Sequence, residues 1–307
     1  MTQMTRHASH HRNKIRMSTS DRIFVSINTF LLVLFMLIVL IPLIYIVAAS
    51  FSSSAAVVAG RVFLWPVDFT LMGYEAVFGN NQLGTGFLNS FLYMFSGTIA
   101  SLAVTIMAAY PLSRKELYGR SKLMFFFTFT MMFNGGLIPT YLVVRSVGLI
   151  DSRLALIIPN ALSVYYMIVA RTYFQTTIPD ELAEAAELDG SSDFGFLFRI
   201  VLPLSGPLIA TLALFFAVMQ WNGYFDALIY LNSQSKYPLQ IILRNILIMN
   251  EIDANMMVSV EALERSQGLR ELLKFSLIVV ASVPVLAIYP FVQKYFVKGI
   301  MIGAIKG

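Results

Sequence analysis

The sequence predicts an all-α membrane protein that crosses the bilayer with six transmembrane helices. Three observations support this fold class. Hydrophobic residues make up 57% of the 307-residue chain and charged residues only 13%, whereas soluble domains carry about 25% charged residues. The mean hydropathy is +0.72. The apolar residues are gathered into six long segments, and one membrane domain accounts for the length of the chain.

Each predicted span is a mostly apolar segment of about 20 residues or more, the length that a transmembrane helix needs. The six segments are 23–49, 87–112, 122–145, 154–174, 205–232 and 273–297. The first is too long for the apolar core of a signal peptide, and no clean cleavage site follows it, so we interpret it as a retained anchor helix. Residues 1–20 form a basic tail, and residues 21–307 form the membrane domain.

The distribution of Lys and Arg predicts how the spans are oriented. Basic residues cluster in the N-terminal tail, between the second and third spans, and at the C-terminal end. Because basic residues favour cytoplasmic loops, both termini are predicted to be cytoplasmic. The segment 178–203 then lies in the cytoplasm, whereas 50–86 and 233–272 are external and partly helical. This orientation explains the net charge of +5, and no nucleic-acid partner is expected.

The composition also argues against several kinds of chemistry. The chain has no cysteine, so it forms neither a disulfide nor a thiolate zinc site. Its three histidines, His7, His10 and His11, lie in the basic tail, and we expect no metal site. The sequence lacks the Gly-x-x-x-x-Gly-Lys-Ser/Thr loop that holds nucleotide phosphates. We therefore predict that the chain is not an enzyme and does not hydrolyse ATP itself.

Residues 178–203 are predicted to form two short helices joined by a turn. Thr177 is expected to cap the first helix, with Asp180 three residues later as in a capping box, and Pro179 suits an early helical position. Gly190 is placed to end this helix in the left-handed conformation. The alternative interpretation is an ordinary amphipathic connector that lies on the membrane surface.

The second helix of this hairpin is predicted to begin at a serine cap, Ser191 or Ser192, and to continue to about Val201. Pro203 is expected to stop it just before the fifth span. Seven hairpin positions have a characteristic spacing: Glu184, Ala185, Ala186, Gly190, Ile200, Leu202 and Pro203. This pattern resembles the signature loop of binding-protein-dependent ABC importer permeases, which favours a docking hairpin over a surface connector.

The resemblance extends over residues 21–307 and is strongest to the carbohydrate branch of these permeases. Three stretches, 133–140, 148–152 and 220–226, resemble the subgroup for aldouronate-type and other oligosaccharides. The resemblance implies a type I ABC importer transmembrane domain, in which 21–307 is the permease domain and 178–203 is the cytoplasmic coupling-helix hairpin.

The same resemblance implies the function and the partners. The chain would be the permease subunit of an ATP-driven importer of oligosaccharides, with uronate-containing ones as the narrower expectation. An extracytoplasmic binding protein would deliver the sugar, and a second permease subunit would complete a heterodimer in the bacterial plasma membrane. Two separate ATPase subunits would hold ATP and Mg, so this chain would bind no cofactor. Glu184 would contact an ATPase subunit, and Ala185, Ala186 and Gly190 would allow close packing.

Polar residues within the predicted spans are candidates for the substrate path. Asn134-Gly135-Gly136 and Pro139 interrupt the third span, which indicates either a bent helix that lines the path or a packing kink. The end of the fifth span combines aromatic faces with planar hydrogen-bonding groups, which suit a sugar. The candidates are Asn134, Gln220, Trp221, Asn222, Tyr224 and Asp226. An interfacial aromatic belt is the alternative for the second group, and Asp226 could equally form a salt bridge between helices.

Arg145 and Arg171 lie near span ends, where the favoured interpretation is that they reach the lipid headgroups. One outward-facing arginine could instead attract the carboxylate of a uronate. The external loop 233–272 is long enough either to contact the binding protein or to fold over the cavity. For Asn89 and Tyr93 in the second span, a packing role is favoured over a path role.

Two other functions stay open at this point. One is an ABC permease for a different solute class, because the hairpin does not specify a substrate. The other is a secondary transporter driven by an ion gradient. It is less favoured, because the sequence shows no internal repeat and almost no carboxylates in the middle of its spans.

Overall fold

The computed structural model describes residues 18–254, 272–288 and 290, and every regular element in these ranges is helical. The all-α prediction is therefore confirmed. In chain order the helices are α1 (Thr19–Ser50), α2 (Ser54–Val58), α3 (Met72–Phe78), α4 (Asn81–Ser113), α5 (Arg120–Met132), α6 (Leu137–Ser146), α7 (Val164–Thr177), α8 (Asp180–Leu188), α9 (Asp193–Phe196), α10 (Leu202–Leu204), α11 (Gly206–Asn222), α12 (Phe225–Tyr230), α13 (Leu239–Ala254) and α14 (Leu272–Ile288). The predicted histidine-containing tail lies almost entirely outside the described residues.

The helices α1 and α4 are each long and apolar enough to cross a membrane in one piece. A capping box starts α1: Ser18 Oγ accepts a hydrogen bond from the Ser20 backbone, and Asp21 accepts one from the Ser18 backbone. The most apolar part of α1 has a mean hydropathy of 3.2 and no buried residue, so it presents its apolar surface away from the rest of the chain. The first two predicted spans are confirmed as helices of spanning length.

The third predicted span, 122–145, is interrupted at the stretch where the sequence predicted a bend or a kink. The helices α5 and α6 meet at an angle of 114°. Between them, Asn134 Oδ1 accepts a hydrogen bond of 2.6 Å from the Gly136 backbone. Gly136 has a φ of 82°, a left-handed backbone that glycine adopts without a steric penalty. These local features turn the chain and produce a broken span or a re-entrant segment.

The fourth predicted span, 154–174, is wrong over its first half. A 3-10 turn at Arg153–Leu156 is followed by non-helical residues, and α7 begins only at Val164. Pro159 explains the interruption, because it lacks the backbone N–H of a helix and disfavours helical backbone at the preceding residue. At 14 residues, α7 is shorter than the roughly 20 residues needed to cross a bilayer.

The fifth predicted span, 205–232, is bent at its start and broken near its end. An angle of 82° separates Asp193–Leu204 from α11, and Gly223 and Tyr224 separate α11 from α12. Of the sixth predicted span, α14 covers the part up to Ile288, and most of the remainder lies outside the described residues. The described helices supply two spans, or up to four if each bent pair is one span, so six spans stay a prediction.

Packing is centred on α4, which has its most extensive contacts with α11 and α7. At Gly97 the missing side chain makes room for Gln220, because a Cβ there would lie 2.5 Å from the Gln220 side chain. Toward the hairpin, buried residues from several helices form one apolar core: Ala109, Met167, Phe174, Ala186, Leu212 and Phe216. The hairpin is therefore packed onto the membrane domain.

Short helices occur in both loops that were predicted to be external and partly helical. The segment 50–86 contains α2 and α3. The segment 233–272 begins with a 3-10 turn at Gln234–Lys236 and continues into α13, whereas residues 255–271 lie outside the described residues.

Candidate functional site

The first hairpin helix, α8, begins at Asp180, with Pro179 at the N-cap position and no side-chain cap hydrogen bond. The predicted Thr177 cap is wrong, because Thr177 is the last residue of α7 and its backbone still belongs to that helix. Asp180 and Glu181 occupy the first turn of α8, where their negative charge stabilises the positive end of the helix dipole.

The end of α8 has the predicted geometry. Gly190 has a φ of 74°, the left-handed conformation that favours glycine. Its backbone N–H donates to Glu187 O at 2.9 Å, and the Ser191 N–H donates to Ala186 O at 2.8 Å. This pair of hydrogen bonds is the Schellman motif, which satisfies the last carbonyls of a helix. The chain therefore turns sharply into the second half of the hairpin.

The second hairpin helix begins at the predicted serine cap, since Ser192 Oγ accepts a hydrogen bond of 3.2 Å from Gly195 N. It then passes through a π-helical turn at Leu197–Val201 and continues as α10 to Leu204. The prediction that Pro203 stops the helix is wrong. Pro203 lies in the first turn of α10, where a missing N–H is tolerated, and the bend follows at Ser205.

Three of the seven characteristic hairpin positions face the core of the chain. Ala186 is only 6% exposed and lies within the core cluster. Ile200 and Leu202 are partly buried and pack against the same cluster. Their side chains therefore contribute to fixing the hairpin to the membrane domain.

The other four positions, Glu184, Ala185, Gly190 and Pro203, are exposed. Large apolar side chains accompany them on the hairpin: Leu188 is 90% exposed, and Phe194 and Phe198 are also exposed. We call these seven residues the outer face of the hairpin. An acidic group, small residues and apolar side chains together form a surface that a protein partner could cover.

The hairpin is anchored to the connection between α4 and α5. Lys115 Nζ lies 2.6 Å from Asp180 Oδ2, and the Arg114 guanidinium lies 5.7 Å from the centroid of the Phe196 ring. The hydrogen bond and charge of Lys115 lower the pKa of Asp180, and Asp180 in turn raises the pKa of Lys115. These contacts were not predicted, because the basic residues of this connection had been used only to orient the spans.

Two further side chains bind the end of α4 to α7. Arg171 Nε donates to Leu112 O at 2.9 Å, and Gln175 Nε2 donates to Ser113 O at 3.3 Å. Arg171 thus binds one of the last carbonyls of α4, a role that neither sequence interpretation of this residue includes. The hairpin, α7 and the end of α4 form one connected unit.

The structure places the path candidates in different environments. Asn134, Asn222 and Tyr224 are exposed. Asn134 binds the backbone of the α5–α6 break, and Asn222 Nδ2 donates to Val218 O within α11 at 2.9 Å. Each still presents one face to the surroundings.

Trp221 is instead part of the packed interior, with 1% of its surface exposed. Its Nε1 donates to Ala281 O of α14 at 3.1 Å, and its ring packs between Phe87 and Phe91 of α4. In this conformation no face of the indole is open to a sugar. The neighbouring Gln220 is partly buried against Gly97 of α4.

Asp226 is brought together with a residue from the break before α7. Asn160 Nδ2 donates to Asp226 Oδ2 at 2.6 Å, which joins α12 to the 159–163 region. Tyr224, two residues earlier, is exposed next to this pair in sequence. The described part of the chain contains no group of three or more His, Asp or Glu side chains that could hold a metal ion.

A second polar cluster lies at the opposite end of α4 from the hairpin and was missed by the sequence analysis. Asp151 Oδ1 accepts backbone hydrogen bonds from Asn232 at 3.1 Å and Ser233 at 3.0 Å. Its Oδ2 accepts one from Ser233 Oγ at 2.6 Å and lies 2.9 Å from Lys236 Nζ. The hydrogen bonds from Ser233 and Lys236 hold the pKa of Asp151 far below its ordinary value.

The same cluster is fastened to α4. Asn89 Nδ2 donates to Ser235 O at 2.8 Å and to Tyr237 O at 3.1 Å, and Tyr93 Oη donates to Lys236 O at 2.7 Å. Asn89 Oδ1 accepts from Arg153 Nη2 at 3.2 Å. Asn89 and Tyr93 are buried, so their favoured packing role agrees with their positions. We call the contacts of Asp151, Lys236, Asn89 and Tyr93 the external clamp, after the side of the membrane on which the predicted orientation would place them.

Comparison with known families identifies one that matches more than half of the chain. The sequence profile of the family described as "Binding-protein-dependent transport system inner membrane component" matches residues 121–302. That range contains the hairpin, the second bent helix pair and all of the first pair except Arg120.

Individual relatives match nearly the full length. The chain is 42% identical to the polygalacturonan/rhamnogalacturonan transport system permease protein YtcP of Bacillus subtilis (strain 168), over 94% of this chain and 99% of that protein. It is also 42% identical to protein LplC of the same organism, over 88% of this chain and 90% of that protein.

A solved structure has the same fold. It is the crystal structure of a bacterial ABC transporter involved in the import of the acidic polysaccharide alginate. The TM-score is 0.83 at 38% sequence identity, and the match covers 92% of this chain and 100% of the matched chain.

Proposed function

Because this chain belongs to the family of binding-protein-dependent transport system inner membrane components and is an ABC importer permease subunit, we propose a substrate for it. The proposed substrate is an oligosaccharide that contains uronate residues. The family places the chain in a membrane as a transport component. The substrate class, the docking residues and the sugar path are the parts that we propose.

The observation that carries the substrate class is the near full-length similarity to two acidic-polysaccharide systems. One relative is named for polygalacturonan and rhamnogalacturonan, and the matched structure belongs to an importer of the acidic polysaccharide alginate. Arg145 supports the same class. It is exposed in the last turn of α6 and forms no ion pair with any residue in the described ranges. A guanidinium of this kind can bind a carboxylate with two parallel hydrogen bonds.

We propose that the outer face of the hairpin docks on a separate ATPase subunit, which carries ATP and Mg. Glu184 supplies a charged contact, while Ala185 and Gly190 let a partner approach closely because they have little or no side chain. Leu188, like the two exposed phenylalanines, contributes apolar area that water would otherwise cover. Movement of the ATPase subunits then moves the hairpin and the helices packed on it, which alternates access to the sugar path.

The sugar path uses the exposed members of the candidate set. Tyr224 offers an aromatic face, and Asn134, Asn222 and the Asn160–Asp226 pair offer planar hydrogen-bonding groups. Trp221 and Gln220 act as positioning residues in this proposal, because they pack against α4 and set where α11 ends. A second permease subunit supplies the other wall of the path, and an extracytoplasmic binding protein delivers the sugar from outside.

Uptake by the complete complex tests the substrate class. The complex is reconstituted in liposomes with its binding protein, and ATP-dependent uptake of a labelled galacturonate trimer is compared with uptake of a galactose trimer. These probes have the same length and differ in charge. We expect uptake of the acidic trimer, a reduced rate for Arg145→Gln, and a smaller reduction for Arg145→Lys, which keeps the charge but cannot form the two parallel hydrogen bonds.

Uptake of the neutral trimer alone would overturn the acidic substrate class but leave an oligosaccharide permease. Failure of both trimers, together with uptake of a non-sugar solute, would favour the alternative of an ABC permease for another solute class. Uptake that follows an ion gradient in the absence of ATP would overturn the importer mechanism itself.

A further inference from the structure

The external clamp joins two segments that are far apart in the sequence. Asp151 lies between α6 and α7, and its carboxylate binds the segment 231–237, which follows α12. The Asp151 and Lys236 side chains are only 29% and 31% exposed. Asp151 also has a φ of 55°, a conformation uncommon for a residue with a side chain. The uncommon backbone conformation and the four hydrogen bonds that the carboxylate accepts indicate a position held by its contacts.

The clamp continues into the first part of α4. Asn89, Tyr93 and Ser90 all bind the segment 231–239, the last through the hydrogen bond of 2.8 Å from Leu239 N to Ser90 Oγ. Every one of these side chains is buried. The segment that leads into α13 is therefore attached to α4 by side chains that water does not reach.

The other end of α4 is attached to the coupling hairpin. Leu112 O and Ser113 O accept hydrogen bonds from α7, and Lys115 pairs with Asp180 of α8. The 33 residues of α4 span about 50 Å. One continuous helix thus links the external clamp to the hairpin across the thickness of a bilayer.

We propose that Asp151 is a positioning residue for coupling, which makes the segment 231–237 move as one body with α4 and the hairpin. This inference rests on the proposed function, because it assumes that the hairpin is driven by an ATPase subunit and that the clamp lies outside the membrane. Loading of the binding protein at the external face is then transmitted along α4 to the hairpin, and nucleotide binding is transmitted in the opposite direction.

The first experiment measures ATP hydrolysis by the complete complex with and without its binding protein, loaded with the galacturonate trimer. We expect Asp151→Ala to leave the basal rate unchanged and to lower the stimulation about fivefold or more, the usual scale of coupling between two sites. Asp68→Ala is the matched control. It removes the Arg61–Asp68 ion pair of 3.1 Å and the hydrogen bond from Ser53 Oγ, both of which lie within the 50–86 loop. Full stimulation of Asp151→Ala would overturn the proposal.

Rescue separates positioning from folding. The chain has no cysteine, so Asp151→Cys with Ser233→Cys can be bridged by a short thiol-reactive cross-linker. A merely structural role predicts that assembly and basal activity fall together and that bridging does not restore stimulation. We expect the unbridged double variant to lose stimulation and the bridged one to regain it. A bridged complex that stays unstimulated contradicts the proposal.

A second measurement requires neither sugar nor binding protein. Spin labels at Gln82→Cys on α4 and Gln234→Cys on the clamped segment report the distance between them, with and without ATP and vanadate. We expect one narrow distance in both nucleotide states, and a broad or state-dependent distance once Asp151→Ala is added. If the wild-type complex is not stimulated by the trimer-loaded binding protein, the substrate proposal fails. The distance measurement then still tests whether Asp151 holds the segment 231–237 on α4. A narrow distance that stays unchanged in the Asp151→Ala variant would contradict the positioning role of Asp151.

Discussion

At the scale of single residues, two adjacent alanines of α8 have opposite environments. Ala185 is exposed on the outer face of the hairpin, whereas Ala186 is buried against the core. One rotation of about 100° per residue around the helix produces this difference. The alanine pair therefore combines two roles: Ala186 fixes the helix to its own chain, and Ala185 leaves room for another chain.

We expect Ala186→Leu and Ala185→Leu to fail in different ways. The first inserts three carbon atoms into a packed site, which costs about 1–3 kcal/mol, so the permease should unfold at a lower temperature in detergent. The second adds bulk to an exposed surface, so it should leave the unfolding temperature unchanged but weaken binding of the ATPase subunit. Thermal unfolding and co-purification distinguish them. Equal loss of stability in both variants would contradict the assignment of faces.

The exposed side chain of Glu184 forms no ion pair or hydrogen bond with the residues that the structure describes, so its charge is available to a partner. We expect Glu184→Lys to weaken co-purification with the ATPase subunit by roughly tenfold to a hundredfold, because a like charge or an unpaired charge replaces a complementary one. Glu187→Lys is the matched control, since Glu187 is an exposed residue of the same helix outside the characteristic spacing. Normal assembly and stimulation of Glu184→Lys would remove Glu184 from the interface.

At the scale of elements, the break between α5 and α6 depends on one glycine more than on its neighbour. Gly136 has the left-handed φ of 82°, whereas Gly135 is not among the positive-φ positions, and its Cβ would meet only Pro139 at 3.4 Å. A Cβ on Gly136 meets no atom within 4 Å. The barrier to substitution at Gly136 is therefore backbone strain and not space.

We expect Gly136→Ala to destabilise the permease by about 1–3 kcal/mol, the cost of holding a residue with a side chain in that region. Gly135→Ala should cost clearly less, because it keeps an accessible backbone and a normal contact distance. Thermal unfolding of the two variants in detergent measures the difference. An equal effect would mean that the break does not require the left-handed residue.

The contact between α8 and the α4–α5 connection is electrostatic and exposed, which determines its response to solution conditions. Lys115 lowers the pKa of Asp180 below its ordinary 3.8, so the contribution of the pair is complete above that value and lost as the pH falls through the lowered pKa. The raised pKa of Lys115 places the corresponding loss on the alkaline side above 10.5.

Hydrogen exchange at the first turn of α8, corrected for intrinsic rates, should therefore not change between about pH 5 and about pH 9. High salt should accelerate it, because exposed charges are screened. Asp180→Asn should exchange faster in low salt and lose the salt dependence. A clear increase in exchange on going from about pH 7 to about pH 5 would show that another group holds this turn.

At the scale of the whole molecule, hydropathy predicted where apolar helices occur but not where they break. It located α1 and α4, because long uninterrupted apolar runs have few alternatives in a membrane. Hydropathy does not predict the late start of α7 at Val164, because it averages Pro159 with its apolar neighbours and ignores the effect of proline on the helical backbone. It likewise joined α11 to α12 across Gly223. The positions of these helix breaks depend on the backbone preferences of single residues, which a hydropathy average over about 20 residues does not resolve.

The hairpin was more predictable than the external clamp for a physical reason. The turn and caps of the hairpin depend on local signals, such as the left-handed Gly190 and the Ser192 cap, that a few neighbouring residues determine. The hydrogen bonds of Asp151 connect positions more than 80 apart in the sequence, and no short pattern records such a pairing. Asp151 belongs to the stretch 148–152 that carries the family resemblance, but that stretch contains none of its hydrogen-bond partners.

The orientation of the chain is a prediction at this same scale. Single cysteines at Glu187 on the hairpin and at Asp68 in the 50–86 loop can be introduced without background, because the natural chain has none. In intact cells an impermeant thiol reagent should label the second and not the first, and lysis should expose both. Labelling of the hairpin from outside would reverse the topology and remove the basis for ATPase docking.

Trp221 is an intrinsic fluorescent reporter at the place where α4, α11 and α14 meet. The chain has two tryptophans, and the other, Trp65, is 80% exposed in the loop after α2. The indole of Trp221 touches α4 and hydrogen-bonds to α14 while belonging to α11. With Trp65→Phe and the partners' tryptophans replaced, a shift in emission wavelength on adding nucleotide would follow the rearrangement of these three helices in real time, without any attached dye.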